Sequence, residues 1–273
     1  MNFRKITLDD KHIFGKFEYI CSDYLFSYVY MYNELYKLKI AESSGTVIIR
    51  SDMGSACFYM PLGDVRQGIE AVLEYCGENY ISPVFSKIPQ DYTGVFRDYG
   101  FIVEEDRDSF DYIFRNSDFI EYEGKKFRNQ RNNMSSYIRT FLPEFDERVE
   151  MYIDECKAFT LKYHNTEDKL EPTYKMLDCI ADFNLKGGVV LENNEVAAFC
   201  LYEKVSDDMV QSHVELTNNN HRGVHAYLIN ELAKRMDAVY INKEDDMGLP
   251  GLRRFKEKYN PCDMLKKYKA IMK

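Results

Sequence analysis

A β-hairpin in the second half of the chain is the feature that most restricts its fold. Residues 187–205 read GGVVLENNEVAAFCLYEKV, two apolar runs separated by Asn193 and Asn194. Asparagine tolerates the positive φ angles that a two-residue turn between antiparallel strands requires. The pattern therefore predicts that an antiparallel sheet organises this region.

Helices and strands are predicted to alternate around this hairpin. Helical spacing begins at Lys126, recurs in residues 147–164, and is predicted again after Pro172, a residue suited to a helix start. Alternating or apolar runs predict strands at residues 208–217, 237–242 and 264–272, with loop-and-helix segments at residues 218–236 and 244–259. Helices followed by β-β-β-α-β-α-β are typical of a GNAT-like sheet.

The first half shows a looser version of the same order. The aromatic-rich residues 14–36 predict two short helices, and β-type runs at residues 38–52 and 55–63 are joined at Gly54. A helix stopping at Gly77, a short helix at residues 92–99 and two strands flanking an acidic turn in residues 101–115 complete it. We expect an α+β protein of two tandem GNAT-like domains, with mixed, mostly antiparallel sheets flanked by helices. The expected domains are residues 1–118 and 119–273, with the active site in the second.

Composition limits the classes of function. The net charge of −9 disfavours general nucleic-acid binding, so any phosphate recognition must be local. Neither a membrane span nor a signal peptide is recognisable, which predicts a cytoplasmic protein. The seven cysteines contain no Cys-x-x-Cys pair and indicate neither a disulfide framework nor a zinc site.

One strand carries candidate acid–base residues. In residues 210–217, alternation places His213 and Glu215 on the same side. Facing a cleft, they could accept a proton from an attacking amine or hydroxyl and orient the acceptor. The alternative is that both are hydrogen-bonded polar residues of a partly exposed strand.

The loop after this strand is a candidate phosphate site. Backbone amides before a helix can bind a pyrophosphate, and Asn220, Arg222 and Gly223 occupy that place here. His225 stands where acetyl-CoA-binding loops prefer a small residue. An ordinary loop and helix start is the alternative.

Two basic segments are further candidates. Arg128 and Arg131 belong to a cluster of cationic residues that could contact phosphate, and Arg253 and Lys256 lie one turn apart on a later helix, where they could stabilise an oxyanion. Solvated basic helix faces are the alternative.

Several segments together resemble one known family. GKKFRNQRNNMSSYIRTF, GGVVLENNEVAAFCLYE, SHVEL, GVHAYLINELA and YINKEDDMGLPGLRRFKEKYNP occur in the order seen in the phosphatidylglycerol lysyltransferase C-terminal-domain-like family. The resemblance covers most of residues 119–273 and, less distinctly, the first half. It implies a tandem GNAT architecture and membrane-bound relatives that move an amino acid from aminoacyl-tRNA to a lipid headgroup. GLRRFKEKYNP also resembles a segment of Fem-type peptidoglycan aminoacyltransferases, which points to Lys256.

These observations predict an acyl- or aminoacyltransferase. The donor would be aminoacyl-tRNA or an acyl-CoA, and the acceptor an amine or hydroxyl of a small molecule or lipid headgroup, with no metal or redox cofactor. Glu215 or His213 would assist deprotonation, with oxyanion and phosphate contacts from the basic segments. The alternatives are an acetyl-CoA-dependent N-acetyltransferase and a non-catalytic ligand-binding module. The sequence leaves the oligomeric state open.

Overall fold

The computed structural model describes residues 1–43 and 45–272, which form two compact units. Strands and helices are numbered in chain order. The strands are β1 (Arg4–Lys5), β2 (Leu38–Ser43), β3 (Thr46–Ser51), β4 (Cys57–Tyr59), β5 (Val84–Pro89), β6 (Ile102–Glu105), β7 (Asp111–Arg115), β8 (Glu144–Asp146), β9 (Lys186–Glu192), β10 (Glu195–Lys204), β11 (Met209–Thr217), β12 (Tyr240–Asn242), β13 (Asp263–Leu265) and β14 (Lys267–Ile271).

The helices lie mostly before or between the strands of each sheet. The α-helices are α1 (Lys11–Phe14), α2 (Phe26–Met31), α3 (Val65–Asn79), α4 (Thr93–Asp98), α5 (Asn116–Glu121), α6 (Arg128–Phe141), α7 (Ile153–Tyr163), α8 (Glu167–Asp178), α9 (Val224–Ala233) and α10 (Pro250–Glu257). Short 3-10 helices span Leu8–Asp10, Ser22–Tyr24, Gln90–Tyr92, Arg107–Ser109, Lys125–Phe127 and Val149–Tyr152.

Each unit is built on a seven-stranded sheet. The first sheet has the order β1-β2-β3-β4-β5-β14-β6, and the second, from one edge, β8-β9-β10-β11-β12-β7-β13. Each contains a parallel pair at the same place, β4 with β5 and β11 with β12. Two mixed, mostly antiparallel sheets flanked by helices confirm the expected fold class.

The compact units are discontinuous in sequence, unlike the contiguous domains expected from the sequence. The difference arises because β14, from the end of the chain, pairs with β5 and β6 in the first sheet. Likewise β7 follows β6 in the chain but pairs with β12 in the second sheet. The first unit comprises residues 1–111, 245–250 and those from 264 onward, and the second comprises residues 112–244 and 251–263.

Local predictions met different outcomes. The β9–β10 hairpin is confirmed, with φ angles of 51° and 66° at Asn193 and Asn194. The run predicted at residues 38–52 instead folds back as two paired strands, β2 and β3. Pro172 does not start a helix but lies inside α8, which begins at Glu167 after the extended Thr166.

Apolar side chains fill both cores. Phe58, Phe85 and Phe96 are fully buried in the first unit, and Val189 and Phe199 in the second. Such burial stabilises the fold by roughly 1.5–3 kcal/mol per large side chain. Within the described part of the chain, no helix combines the length and apolarity needed to cross a membrane.

Candidate functional site

The parallel strands of the second sheet separate at its centre. The paired positions of β11 and β12 end at Gln211 and Asn242, but β11 continues to Thr217. We call the region between residues 213–217 and residues 243–244 the second opening.

A half-buried carboxylate and a buried ammonium form an ion pair across the second opening. Glu215 Oε2 lies 2.6 Å from Lys243 Nζ, and the two side chains are 14% and 7% exposed. The Ser212 hydroxyl donates to Glu215 Oε1 over 2.6 Å. Burial alone would raise the pKa of Glu215, but the Lys243 ammonium and the His225 imidazole hold it well below its usual range. Glu215 is therefore ionised at neutral pH.

Glu215 also fixes the tautomer of a histidine on α9. His225 Nε2 lies 2.9 Å from Glu215 Oε2, and His225 Nδ1 lies 2.8 Å from the Tyr259 hydroxyl oxygen. Burial lowers the pKa of His225, so its imidazole is neutral. Because a carboxylate can only accept, the proton of His225 sits on Nε2, and Nδ1 accepts from the Tyr259 hydroxyl. We call Tyr259, His225 and Glu215 the relay, because a proton can move along these hydrogen bonds.

A β-bulge changes the alternation predicted for β11. The register between β10 and β11 shifts between Leu201 and Tyr202, which leaves one extra residue on β11 at His213. Regular alternation would have placed His213 and Glu215 side by side. The bulge instead places their side chains in different ion-paired groups.

His213 lies between two acidic side chains. Its Nε2 atom is 2.8 Å from Glu203 Oε1, and its Nδ1 atom is 3.0 Å from Glu244 Oε1. Burial lowers the pKa of His213, but the hydrogen bonds to both carboxylates outweigh it and raise the pKa to about 9. The imidazolium is thus the main form at neutral pH, which makes His213 a poor proton acceptor.

Lys256 is directed toward the backbone beside the second opening. Its Nζ atom donates to the carbonyl of Lys243 over 2.5 Å and to that of Glu244 over 3.1 Å. The same atom lies 5.5 Å from the centroid of the Tyr112 ring. Arg253 is half-buried one turn earlier on α10. Lys256 therefore fixes the segment that carries Lys243.

The predicted phosphate loop packs closely against α6. Gly223 has a φ of 102° at the start of α9, and a Cβ atom there would lie 2.3 Å from the Asn133 carbonyl oxygen. Glycine is needed both for this φ and for this approach. The Asn220 amide donates to the Asn218 side chain over 3.1 Å, and Arg222 is exposed. A carbonyl oxygen, rather than a donor, lies against the predicted anion site.

The basic segment of α6 approaches α10 through an uncharged contact. The Gln130 amide donates to the Lys258 carbonyl over 2.9 Å. Arg131 donates to the Gly124 carbonyl over 2.8 Å, so this guanidinium holds its own preceding loop. Arg128 is exposed.

Sequence reasoning missed Lys243 and Tyr259. Lys243 directly follows the short strand β12, and a polar residue just beyond a central parallel strand was the available signal. Tyr259 gave no such signal, because an aromatic residue beyond an amphipathic helix is ordinary core material.

Each sheet contains a central pair of parallel strands that separate along their length. Two such sheets define a tandem GNAT-like protein. The fold is similar to that of a conserved protein of unknown function from Bacteroides thetaiotaomicron, with a TM-score of 0.89, 24% identity and 100% of both chains covered. It is also similar to the C-terminal domain of a putative lysylphosphatidylglycerol synthetase from Agrobacterium fabrum (TM-score 0.73, 17% identity, 97% of this chain and 91% of that chain). FemX matches with a TM-score of 0.57 and 10% identity, over 100% of this chain and 98% of that chain. At these identities the likeness shows a shared fold.

The sequence itself places the chain in a family. Residues 17–271 match the model described as phosphatidylglycerol lysyltransferase, C-terminal, and the chain belongs to that family. This confirms the resemblance found in the sequence. No curated protein matches the chain.

Proposed function

We propose that the chain transfers an acyl or aminoacyl group from an activated ester to an amine or hydroxyl at the second opening. The observation that carries the proposal is the relay, which ends beside the ion pair of Glu215 with Lys243. Membership of a family named for lysyl transfer supports aminoacyl esters as donors.

The relay can handle the proton of the reaction. Tyr259 is 8% exposed, and an acceptor hydrogen-bonded to its hydroxyl would pass a proton to that oxygen while attacking the donor carbonyl. The proton of Tyr259 moves to His225 Nδ1, and the Glu215 carboxylate stabilises the imidazolium formed. The new acyl bond forms, the bond to the donor oxygen breaks, and the proton returns through Tyr259 to the leaving oxygen.

The other predicted residues take supporting places in this proposal. Lys243 keeps Glu215 ionised, and Lys256 is a positioning residue that acts through the backbone of Lys243. Arg253, Arg128 and Arg222 remain candidates for contacts with the anionic part of a donor.

The surroundings of Gly223 favour aminoacyl-tRNA over acyl-CoA as donor. A pyrophosphate at the start of α9 would meet the Asn133 carbonyl oxygen, which repels an anion. A tRNA ester does not need that loop, since its phosphates lie along an extended backbone.

Transfer assays with defined donors test the proposal. Purified protein is incubated with tRNA charged with radiolabelled amino acids, using phosphatidylglycerol vesicles or ethanolamine as acceptor. We expect label to reach one acceptor, and His225→Gln to slow transfer by roughly 10²–10⁴-fold. The matched control is His12→Gln, which changes an exposed histidine. Transfer from acetyl-CoA alone would favour the acetyltransferase, and binding of charged tRNA without any transfer would favour the binding module.

A further inference from the structure

Helix α6 and the segment before it are basic in a protein that is acidic overall. Residues 124–143 contain five cationic side chains and no carboxylate, although the net charge of the whole chain is −9. The nearest carboxylates in the chain, Glu123 and Glu144, lie outside this segment. An anionic ligand would therefore meet a local excess of positive charge here, unlike the average of the surface. The five cations are Lys125, Lys126, Arg128, Arg131 and Arg139.

One exposed face of α6 carries side chains that can all donate hydrogen bonds. Arg128, Asn132, Ser135 and Arg139 follow one another at intervals of four, three and four residues, which places them on the same side of the helix. All four are exposed. We call these four residues the outer row, and it extends about 16 Å along the helix axis. Guanidinium, amide and hydroxyl groups all donate hydrogen bonds, so the row suits a ligand with many acceptor oxygens.

The two arginines of the outer row are not neutralised by the protein itself. Elsewhere in the basic segment, Lys126 is paired with Asp118 over 3.2 Å, and Arg131 donates to a backbone carbonyl over 2.8 Å. In residues 1–43 and 45–272, by contrast, no carboxylate forms an ion pair with Arg128 or Arg139. Both guanidinium groups are thus available to an external anion, to which each can donate two parallel hydrogen bonds.

The basic surface continues from α6 onto the loop that precedes the relay. Gly223, at the start of α9, packs directly on the backbone of α6, and the ring of His221 stacks on that of Phe141 with centroids 4.3 Å apart. Arg222 lies between these two contacts. It is exposed and forms no ion pair with the residues that the structure describes. A third free guanidinium therefore lies beside α6, three residues before His225 of the relay.

The composition of the exposed face favours RNA over a lipid bilayer. A helix that lies in a membrane interface turns a broad apolar face outward. The aromatic side of α6 is instead turned inward, with Tyr137 buried and its ring 5.8 Å from that of Tyr227. Exposed aliphatic side chains occur near the C-terminal end, where Ile138 and Leu142 are 38% and 77% exposed. Arginine, asparagine and serine are the side chains that contact phosphate and sugar oxygens of nucleic-acid backbones.

We infer that the outer row and Arg222 bind the sugar–phosphate backbone of the tRNA that carries the donor ester. Arg128 and Arg139 contact phosphates about three helical turns apart. Asn132 and Ser135 donate to phosphate or ribose oxygens between them. The choice of tRNA as the RNA rests on the proposed function, whereas the free cations of α6 do not depend on it.

Binding of fluorescently labelled tRNA, followed by anisotropy from about 50 to 300 mM KCl, tests the surface directly. We expect the double variant Arg128→Gln/Arg139→Gln to raise the Kd roughly 10- to 100-fold, because it removes two charged hydrogen-bond donors. The slope of log Kd against log salt concentration should fall by about 2. Glutamine is a good helix former, so the Tm of the double variant should be nearly unchanged.

Transfer from two donors separates the docking surface from the reaction. Charged tRNA carries the phosphates, whereas 3′-O-aminoacyl adenosine carries the same ester without them. The double variant should lower kcat/KM with charged tRNA roughly 10- to 100-fold and leave transfer from the aminoacyl adenosine within about twofold of the parent. If tRNA binding depends on the two arginines but the parent transfers from neither donor, the surface is supported and the proposed reaction is refuted.

The matched control removes the same charge elsewhere in the second unit. Lys204→Gln/Lys234→Gln changes two exposed lysines that are paired with Asp237 and Glu231, and its Kd should stay within about twofold of the parent. Equal losses in this control, an unchanged Kd in the arginine double variant, or no tRNA binding by the parent would overturn the inference. It would also be overturned if the arginine double variant no longer floated with phosphatidylglycerol vesicles but still bound tRNA, since α6 would then bind a bilayer.

Discussion

The two sheets share one strand order, but different charged residues lie where their parallel strands separate. In each sheet the fourth and fifth strands form a parallel pair. The sixth strand is β14 in the first sheet and β7 in the second, and each lies far along the chain from the strands with which it pairs. A lysine follows the last paired position in both sheets: the half-buried Lys87 after Ser86, and the buried Lys243 after Asn242. The shared order indicates one structural unit used twice.

The length of the facing strand makes the difference. β4 ends at Tyr59, and we call the space between residues 60–63 and Lys87 the first opening. Its lysine pairs with Asp23 (3.0 Å) and Asp245 (3.3 Å), neither of which lies on β4. β11 instead continues past the point of separation and brings its own carboxylate, Glu215, to Lys243. The residues of β11 beyond the point of separation thus bring a carboxylate to the lysine, which β4 does not do.

The largest expected effect separates catalysis from binding. Glu215→Gln removes the charge that stabilises protonated His225, so we expect the transfer rate to fall roughly 10²–10⁴-fold. Filter binding of charged tRNA should change little, because the Glu215 side chain is only 14% exposed and is held by Lys243 and His225. Equal rates for variant and parent would remove the relay from the mechanism.

The first opening should matter for stability instead. Lys267 is buried against Asp23 and Asp111, with Nζ 2.6 Å from Asp111 Oδ1. Lys267→Met removes an ammonium partner from two buried carboxylates. We therefore expect the free energy of unfolding by urea to fall by about 3–5 kcal/mol. Lys266→Met, at an exposed pair with Glu105, should cost under about 1 kcal/mol. Similar losses for the two variants would contradict this account.

We expect the charged residues of the two openings to lose their contribution to stability at opposite ends of the pH scale. The pKa of His213 is raised to about 9 in the folded protein. The resulting stabilisation of the fold is complete when the pH is below the ordinary histidine pKa near 6.5. That contribution, about 3 kcal/mol, is lost as pH rises through 9. Asp23 shows the opposite pH dependence. Burial raises its pKa, but Lys267 and Lys87 lower it to about 2. Its contribution to stability is therefore lost as pH falls toward 2. Urea midpoints from pH 6 to 9.5 should decline in the parent and much less in His213→Gln, and parallel slopes would refute the assignment.

A smaller effect is expected at the helices that follow β4 and β11. The side chain of Asp64 caps α3, whereas α9 starts at Gly223 without a side-chain cap. Gly223→Ala should destabilise by about 1–3 kcal/mol, because its Cβ atom meets the Asn133 carbonyl. Gly94→Ala in α4, with open space around it, should be neutral or stabilising by up to about 1 kcal/mol. Chemical denaturation of the pair checks this, and a neutral Gly223→Ala would mean that the two helices separate readily.

Features set by neighbouring residues were predictable from the sequence. The Asn193–Asn194 turn and the strands that it joins follow from backbone preferences alone. Glu215 was chosen for its place on a central strand, and its catalytic role stays a prediction; the structure gives its carboxylate three polar partners.

Features set by residues distant in the chain could not be predicted from the sequence. The pairing of β14 with β5 joins segments far apart in the chain, and periodicity carries no such information. A bulge at His213 is equally invisible, although it decides which neighbours the imidazole meets. Lys256 donates to backbone carbonyls, and no side-chain pattern reports where a buried cation will find its acceptors.

The most direct test compares one tyrosine beside each opening. Tyr259 ends the relay, and Tyr59 is buried at the end of β4. We predict that Tyr259→Phe lowers kcat/KM for transfer from charged tRNA by about 10²-fold or more, while Tyr59→Phe stays within about twofold of the parent. Equal losses in the two variants, or full activity in Tyr259→Phe, would contradict a reaction site at the second opening.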